Sequence, residues 1–256
     1  MDDWRARIGF LIPPGTPTVE REMVRRMPEG VSAHFARMVA RGPVGTLANL
    51  RARAESQLAH LGETTELLAS VEPDVIVLAH TATSYMLGRD GEQALKARLE
   101  QQTGIPYVSA LGSAVEAFAA LGVRRVAVGT PYDPALTARG KAVLEEYGIE
   151  VIHSECLPDV RNIFTEPPRR VYGLIRSVDR VDADAVFISG VGLPTLDVIG
   201  AAEGDLGKPV LSSAAAMLWN ALRTAGIATP VHHCGRLLAD PSLRPASAHR
   251  RPKRRL

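Results

Sequence analysis

Two stretches of this chain follow one plan. "PDVIVLAHTATSYML" is followed by "GIPYVSALGSAVEAFAALGV", and "ADAVFISGVGLPTLDV" is followed by "GKPVLSSAAAMLWNALRTAGI". Each copy reads as a strand, a polar loop and a helix, then x-Pro, a short strand, a Ser/Ala-rich turn and a helix ending in Gly. Asp74 stands six residues before His80 and Asp184 six before Gly190, so the repeat sets His80 and Gly190 at equivalent strand ends. Two α/β lobes related by a pseudo-twofold axis would bring those ends together across a cleft. Clefts at the carboxyl ends of parallel strands are where open α/β sheets take ligands.

The rest of the chain agrees with that plan. Apolar β-type runs are predicted over 7–13, 74–79, 124–130, 149–154, 184–190 and 208–213. Between them lie helix-type stretches such as "LANLRARAESQLAHLGETTELLASV" and "PALTARGKAVLEEYG". This alternation predicts an α/β fold of two lobes, each a mostly parallel sheet flanked by helices. The predicted division is one catalytic body over 1–240. Its first lobe spans roughly 7–122 with a return segment near 210–240, and its second spans roughly 123–209.

Composition narrows the function. The tail from Pro241 holds six Lys/Arg and no acid, and the whole chain carries +2, so the body before it sits at 2 − 6 = −4. Residues 241–256 therefore read as a disordered basic tail, and the body is not a nucleic-acid binder by charge. No apolar run of about 18 residues is present, and the N-terminus is too charged for a secretory signal, so a cytoplasmic protein without a membrane span is expected. Cys156 and Cys234 are far apart, which fits a reducing compartment and no disulfide framework. His232, His233 and Cys234 cluster without further paired ligands, so no metal is expected.

The loops at the predicted cleft carry hydroxyls and glycines. They are "PPGTPTVE" after the first strand, "HTATS" after 74–79, "TPYDP" after 124–130, "GVGLPT" after 184–190, and Ser212-Ser213. Such donors at helix N-termini suit a carboxylate, because both the free N–H groups and the helix dipole favour an anion. Neither a GxGxxG nor a GxxxxGK[ST] loop is present, so the predicted chemistry uses no nucleotide and no other cofactor. The expected partner is a small carboxylate substrate, and a homo-oligomeric state is left open.

These fragments resemble the Asp/Glu racemase superfamily, and within it the arylmalonate decarboxylases and maleate cis-trans isomerases. The resemblance runs from about Arg7 to Asp240 on "IGFLIPPGTPTVE", "DVIVLAHTATS", "LGVRRVAVGTPYDPALT", "ISGVGLPTLDVI", "KPVLSSAAAMLWNALRTAG" and "CGRLL". It implies a cofactor-independent site between two similar lobes. It also implies carboxylate binding by Pro14, Gly15, Thr16, Thr81, Thr130, Asn162 and Val191, with Tyr132 beside them. Family racemases and isomerases hold a cysteine at both strand ends, and the decarboxylase holds only the second. Here those two positions are His80 and Gly190.

Thiolate addition to a double bond and two-thiol racemisation both lack their reagents in this pattern. Decarboxylation of a malonate-type substrate through an enediolate stays open, with His80 as the acid or base in place of cysteine. An isomerase or racemase with His80 as single base and Tyr132 or water opposite is the alternative. A binding protein that keeps only the carboxylate pocket is the third reading.

Overall fold

Both copies of the repeat form four-stranded parallel sheets of the same strand order. In the computed structural model, which describes residues 4–40 and 50–246, the first sheet holds β1 (Ala6–Ile12), β2 (Val31–Arg37), β3 (Val75–Leu78) and β4 (Tyr107–Ser109) in the order β2-β1-β3-β4. The second holds β5 (Arg125–Thr130), β6 (Glu150–Cys156), β7 (Ala185–Ile188) and β8 (Val210–Ser212) in the order β6-β5-β7-β8. The central strands β3, "VIVL", and β7, "AVFI", are buried along their whole length. Helices cover both faces of such sheets, which is why these strands read as unbroken apolar runs.

The two aspartates of the repeat have a structural cause. Asp74 Oδ2 accepts the Arg7 N–H at 2.9 Å, and Asp184 Oδ2 accepts those of Arg124 and Arg125 at 2.9 and 2.8 Å. Each carboxylate thus pins the start of the neighbouring strand, β1 or β5, and sets the register in which β3 and β7 run. With the register set, the chain leaves the sheet at Ala79 and Ser189, whose N–H groups donate to Leu11 and Gly129. His80 and Gly190 come immediately after.

The helices are α1 (Pro17–Arg26), α2 (Leu50–Ala59), α3 (Leu61–Ala69), α4 (Thr81–Thr103), α5 (Ala110–Leu121), α6 (Pro134–Glu146), α7 (Pro168–Val178), α8 (Ile199–Leu206), α9 (Ser213–Thr224) and α10 (Arg236–Ala239). Helices α5 and α9, the last of each repeat, pack on one another at the centre, with Asn220 Nδ2 donating to Ser113 Oγ at 3.1 Å. Phe118 of α5 meets Phe187 of β7 edge-on at 5.3 Å, and α9 packs on β3 and β4. Each lobe therefore lends a helix to the other. Among the described residues no helix is long and apolar enough to cross a membrane.

Four details depart from the sequence reading. Strand β2 was not anticipated, because "VSAHFAR" is an edge strand with mostly half-buried residues and shows no apolar run. In the expected helical stretch 47–71 the described residues form two helices, α2 and α3, which meet at His60, and 47–49 lie outside the described residues. Strand β8 pairs with β7, so the second sheet extends to Ser212, and the return toward the first lobe begins only with α9. Residues 241–246 of the expected tail pack on the body, through the Ala246 N–H on Glu116 and Arg223 donating to the Leu243 carbonyl and to that of Asp240 just before it. Residues 247–256 lie outside the described residues.

Candidate active site

The ends of β3 and β7 meet through a serine from a third element. Ser213, the first residue of α9, accepts the Gly190 N–H at 3.1 Å and the Thr81 hydroxyl at 3.3 Å. One buried hydroxyl thereby joins the first lobe's strand end to the second's. The Tyr132 ring stands edge-on to Tyr85 at 6.0 Å. The Tyr85 hydroxyl crosses from the first lobe to Ser189 Oγ in the second. Its ring fits because Gly140 on α6 has no Cβ, which would sit 2.3 Å from Tyr85 Cε2. His80, Thr81, Thr83, Tyr132, Ser189, Gly190, Val191 and Ser213 form one buried cluster of polar side chains and turns.

His80 is the titratable group at the centre of this cluster. Its Nδ1 shares a 2.7 Å hydrogen bond with Thr83 Oγ1, leaving Nε2 without a partner among the described residues. Burial, aided by the buried Arg53 guanidinium of α2, pushes its pKa down to about 4. The imidazole is thus neutral at pH 7. Burial also raises the Tyr132 and Tyr85 phenols well above their ordinary range, so both are hydrogen-bond donors rather than bases.

Gly190 has φ +130°, a region that side chains rarely adopt. A Cβ built there would lie 2.9 Å from both Cδ and Cγ of Pro131. The second strand end therefore holds backbone where the resemblance implies a thiol. Its turn offers the N–H groups of Val191 and Gly192, which carry no hydrogen bond among the described residues.

Capping differs among the helices that begin near the strand ends. Helices α5, α6 and α9 are capped by their own Ser109, Asp133 and Ser212, each accepting an N–H of the first turn. Helices α1 and α4 begin at Thr16 and His80, and neither side chain caps its helix. Thr16 Oγ1 is fully buried and has no partner. The first turns of α1 and α4 thus keep N–H groups without a side-chain cap, and the helix dipole favours an anion at each.

The remaining expected residues divide into two groups. Pro14 and Gly15 form the half-buried turn before α1, and the Pro14 carbonyl accepts from Arg37 Nη1 at 2.9 Å. Thr130 is fully buried and shares a hydrogen with Thr137 at 2.6 Å while accepting the Tyr132 N–H, so its hydroxyl holds the turn that presents Tyr132. Asn162 Oδ1 caps the short 3-10 turn Ile163–Thr165, and that turn packs Ile163 and Phe164 where a Cβ of Gly192 would be. The Asn162 amide nitrogen is left to donate. Cys156 bonds Thr137 at 3.3 Å, and Cys234 is buried with its thiol pushed up to about 11. His232 and His233 are exposed, and His34 and His153 bond Ser32 and Glu155. The crossing Tyr85 and the buried Arg53 were not singled out from sequence, whereas Ser213 was expected only as one hydroxyl of the cleft loops and not as the bridge between the strand ends.

A family model described as arylmalonate decarboxylase matches residues 8–238. A maleate isomerase from Nocardia farcinica is 31% identical over 256 residues, covering 94% of this chain and 98% of that protein. An arylmalonate decarboxylase from Bordetella bronchiseptica is 29% identical over 230 residues, covering 86% and 90%. Among solved structures, a Nocardia farcinica maleate cis-trans isomerase variant with a covalently bound succinylcysteine intermediate has a TM-score of 0.83 at 28% identity, covering 91% of this chain and 98% of that one. An arylmalonate decarboxylase structure has a TM-score of 0.75 at 25% identity, with the same coverage.

Proposed function

This chain belongs to the arylmalonate decarboxylase family, and from that premise we propose that it is a cofactor-independent lyase that decarboxylates a malonate-type dicarboxylate, with His80 handling the proton. The observation that carries this reading is the pairing of one titratable side chain, His80, with a glycine, Gly190, whose backbone and surroundings exclude a side chain. A solved relative with a succinylcysteine intermediate uses a thiol adduct. In this chain Cys156 sits on Thr137 and Cys234 is buried on the approach to α10, and neither adjoins the paired strand ends.

Decarboxylation asks less of the site. The bond between the α-carbon and one carboxylate breaks, and CO₂ leaves. The electron pair stays on the α-carbon and spreads into the remaining carboxylate as an enediolate. One proton then joins the α-carbon, and the product is a monocarboxylate. Donors placed where that negative charge develops are the main catalytic requirement. Thr16, Tyr132, the Asn162 amide and the Val191 and Gly192 N–H groups are the donors available, whereas the Thr81 hydroxyl already donates to Ser213.

His80 on its own is neutral at pH 7. A bound dianion offsets the desolvation that holds its pKa down, so the imidazole takes up a proton with the substrate and delivers it from the first lobe's side. Maleate isomerisation is the second reading, favoured by the 31% identical maleate isomerase. In that case the free Nε2 of neutral His80 would act as the base or adduct-forming atom, with Tyr132 opposite.

Incubation with aryl- and alkyl-malonates, maleate and amino acids in D₂O, followed by NMR, separates the readings. The proposal expects CO₂ loss with one deuterium at the α-carbon of the malonate product. Conversion of maleate to fumarate without CO₂ loss would replace it with the isomerase. Saturable binding without turnover of any substrate would leave only the carboxylate pocket.

A further inference from the structure

Helix α4 is broken just after the part that carries the candidate site. Gly88 stands at φ 66° and ψ −179°, outside helical geometry, so the leading segment 81–87 is set apart from the rest of the helix. His80 is the N-cap of that segment, and its Nδ1 is bonded to Thr83 within it. The direction of the segment therefore aims the imidazole.

In an unbroken helix the Arg89 N–H would donate to the Tyr85 carbonyl four residues back. Each of these two groups instead bonds the second lobe. The Tyr85 carbonyl accepts Nε of Arg139 at 2.9 Å, and the Arg89 N–H donates to Oε2 of Glu146 at 2.8 Å. Arg139 and Glu146 both stand on α6, and Nη1 of the first donates to Oε1 of the second at 3.0 Å. An ion pair from the other lobe is thus spliced into the missing helical hydrogen bond. The signs fit, because a cation meets a helix C-terminus and an anion a helix N-terminus. Gly88 leaves room for it: a Cβ there would lie 2.8 Å from Arg139 Nη2 and 3.0 Å from Glu146 Oε2.

We propose that Arg139 is a positioning residue for His80: with Glu146 it holds α4 open at Gly88 and so sets the direction in which the leading segment presents the imidazole. The proposal rests on the reading of His80 as the proton-handling group, and adds a second-lobe residue that aims it. The two side chains are 42% and 37% exposed, and a surface pair of this kind contributes little to stability. Its place across the break is what couples it to the site. Without Arg139 the Tyr85–Arg89 hydrogen bond can close, and the leading segment turns as it does so. The Tyr85 hydroxyl on Ser189 and the Ser84 hydroxyl on buried Glu92, at 2.5 Å, still hold the segment, so it turns without being released.

The test compares the wild type with Arg139→Met, Arg139→Lys and, as a control on the same helix, Lys141→Met, whose ammonium pairs only with Glu145 at 3.7 Å. One readout needs no substrate: the imidazole Cε1–H resonance of His80, assigned by its loss in His80→Gln. The other is kcat and KM on a malonate. Arg139→Met should displace the His80 resonance and lower kcat about tenfold, with KM within about twofold, as expected of a misaimed group. Arg139→Lys, which keeps a donor for the Tyr85 carbonyl, should recover most of both effects, and Lys141→Met should match the wild type. The proposal is overturned if the His80 resonance stays in place in Arg139→Met, if it moves while malonate turnover holds, or if Lys141→Met moves it equally. A wild type that turns over no malonate, with the resonance still displaced in Arg139→Met alone, would refute the inner chemistry and leave the positioning intact.

Discussion

Placing a methyl group on residue 190 tests why the second strand end carries no side chain. In Gly190→Ala the new Cβ meets Pro131 Cδ and Cγ at 2.9 Å, atoms of a ring that cannot swing aside. Overpacking of this kind costs about 1–3 kcal/mol. The backbone at φ +130° adds about 1–3 kcal/mol for a residue with a side chain. Together they predict a loss of about 2–6 kcal/mol, or a Tm lower by roughly 4–24 °C for a chain of this size. Urea unfolding of the wild type, Gly190→Ala, Pro131→Ala and the double variant forms a cycle that separates the two parts. The coupling should be about 1–3 kcal/mol, because removing the ring relieves the contact, and the backbone part should persist in the double variant. If Gly190→Ala keeps its stability within about 0.5 kcal/mol, the turn has room for a side chain. The exclusion of a thiol at that position would then fail.

Thr16→Val removes a buried hydroxyl that has no partner, so the fold should keep or gain up to about 1 kcal/mol while KM for the carboxylate substrate rises several-fold. A thermal melt and steady-state kinetics check both halves, and an unchanged KM would remove Thr16 from the binding loop. His80 titrates at about 4 in the fold against 6.5 unfolded, so the unfolded chain binds the extra proton between those values. Its contribution of about 3 kcal/mol is present above pH 6.5 and is lost as pH falls toward 4. Chemical denaturation at pH 7 and pH 4.5 should show that loss in the wild type and a smaller one in His80→Gln.

The repeat made the architecture legible because the same physical needs recur in it. Asp74 and Asp184 recur since each pins a strand start, and the apolar runs of β3 and β7 recur since each is covered on both faces. From that register alone His80 and Gly190 fall at matched positions. What stayed hidden was decided by partners far along the chain. Glu22 reads as one charge among many in "VEREMVRR", and only its packing against Thr195 and Leu196 in the other lobe buries it. Tyr85 looks like an ordinary helix aromatic until Gly140 admits its ring and Ser189 takes its hydroxyl. Strand β2 escaped because an edge strand with half-buried Ser, Ala and His has no hydrophobic pattern to read. Thr130 looked like a ligand contact, yet its hydroxyl is engaged by Thr137 and Tyr132.

The central claim is that one group, His80, delivers the proton from one side of the site. It is tested most directly by running a prochiral, disubstituted malonate in D₂O and measuring the rate and the enantiomeric composition of the α-deuterated product, for the wild type and His80→Ala. The account predicts a single enantiomer from the wild type and a rate about 10²–10⁴ lower for His80→Ala, typical of a lost general acid. A racemic product, or a His80→Ala protein as fast as the wild type, would contradict it.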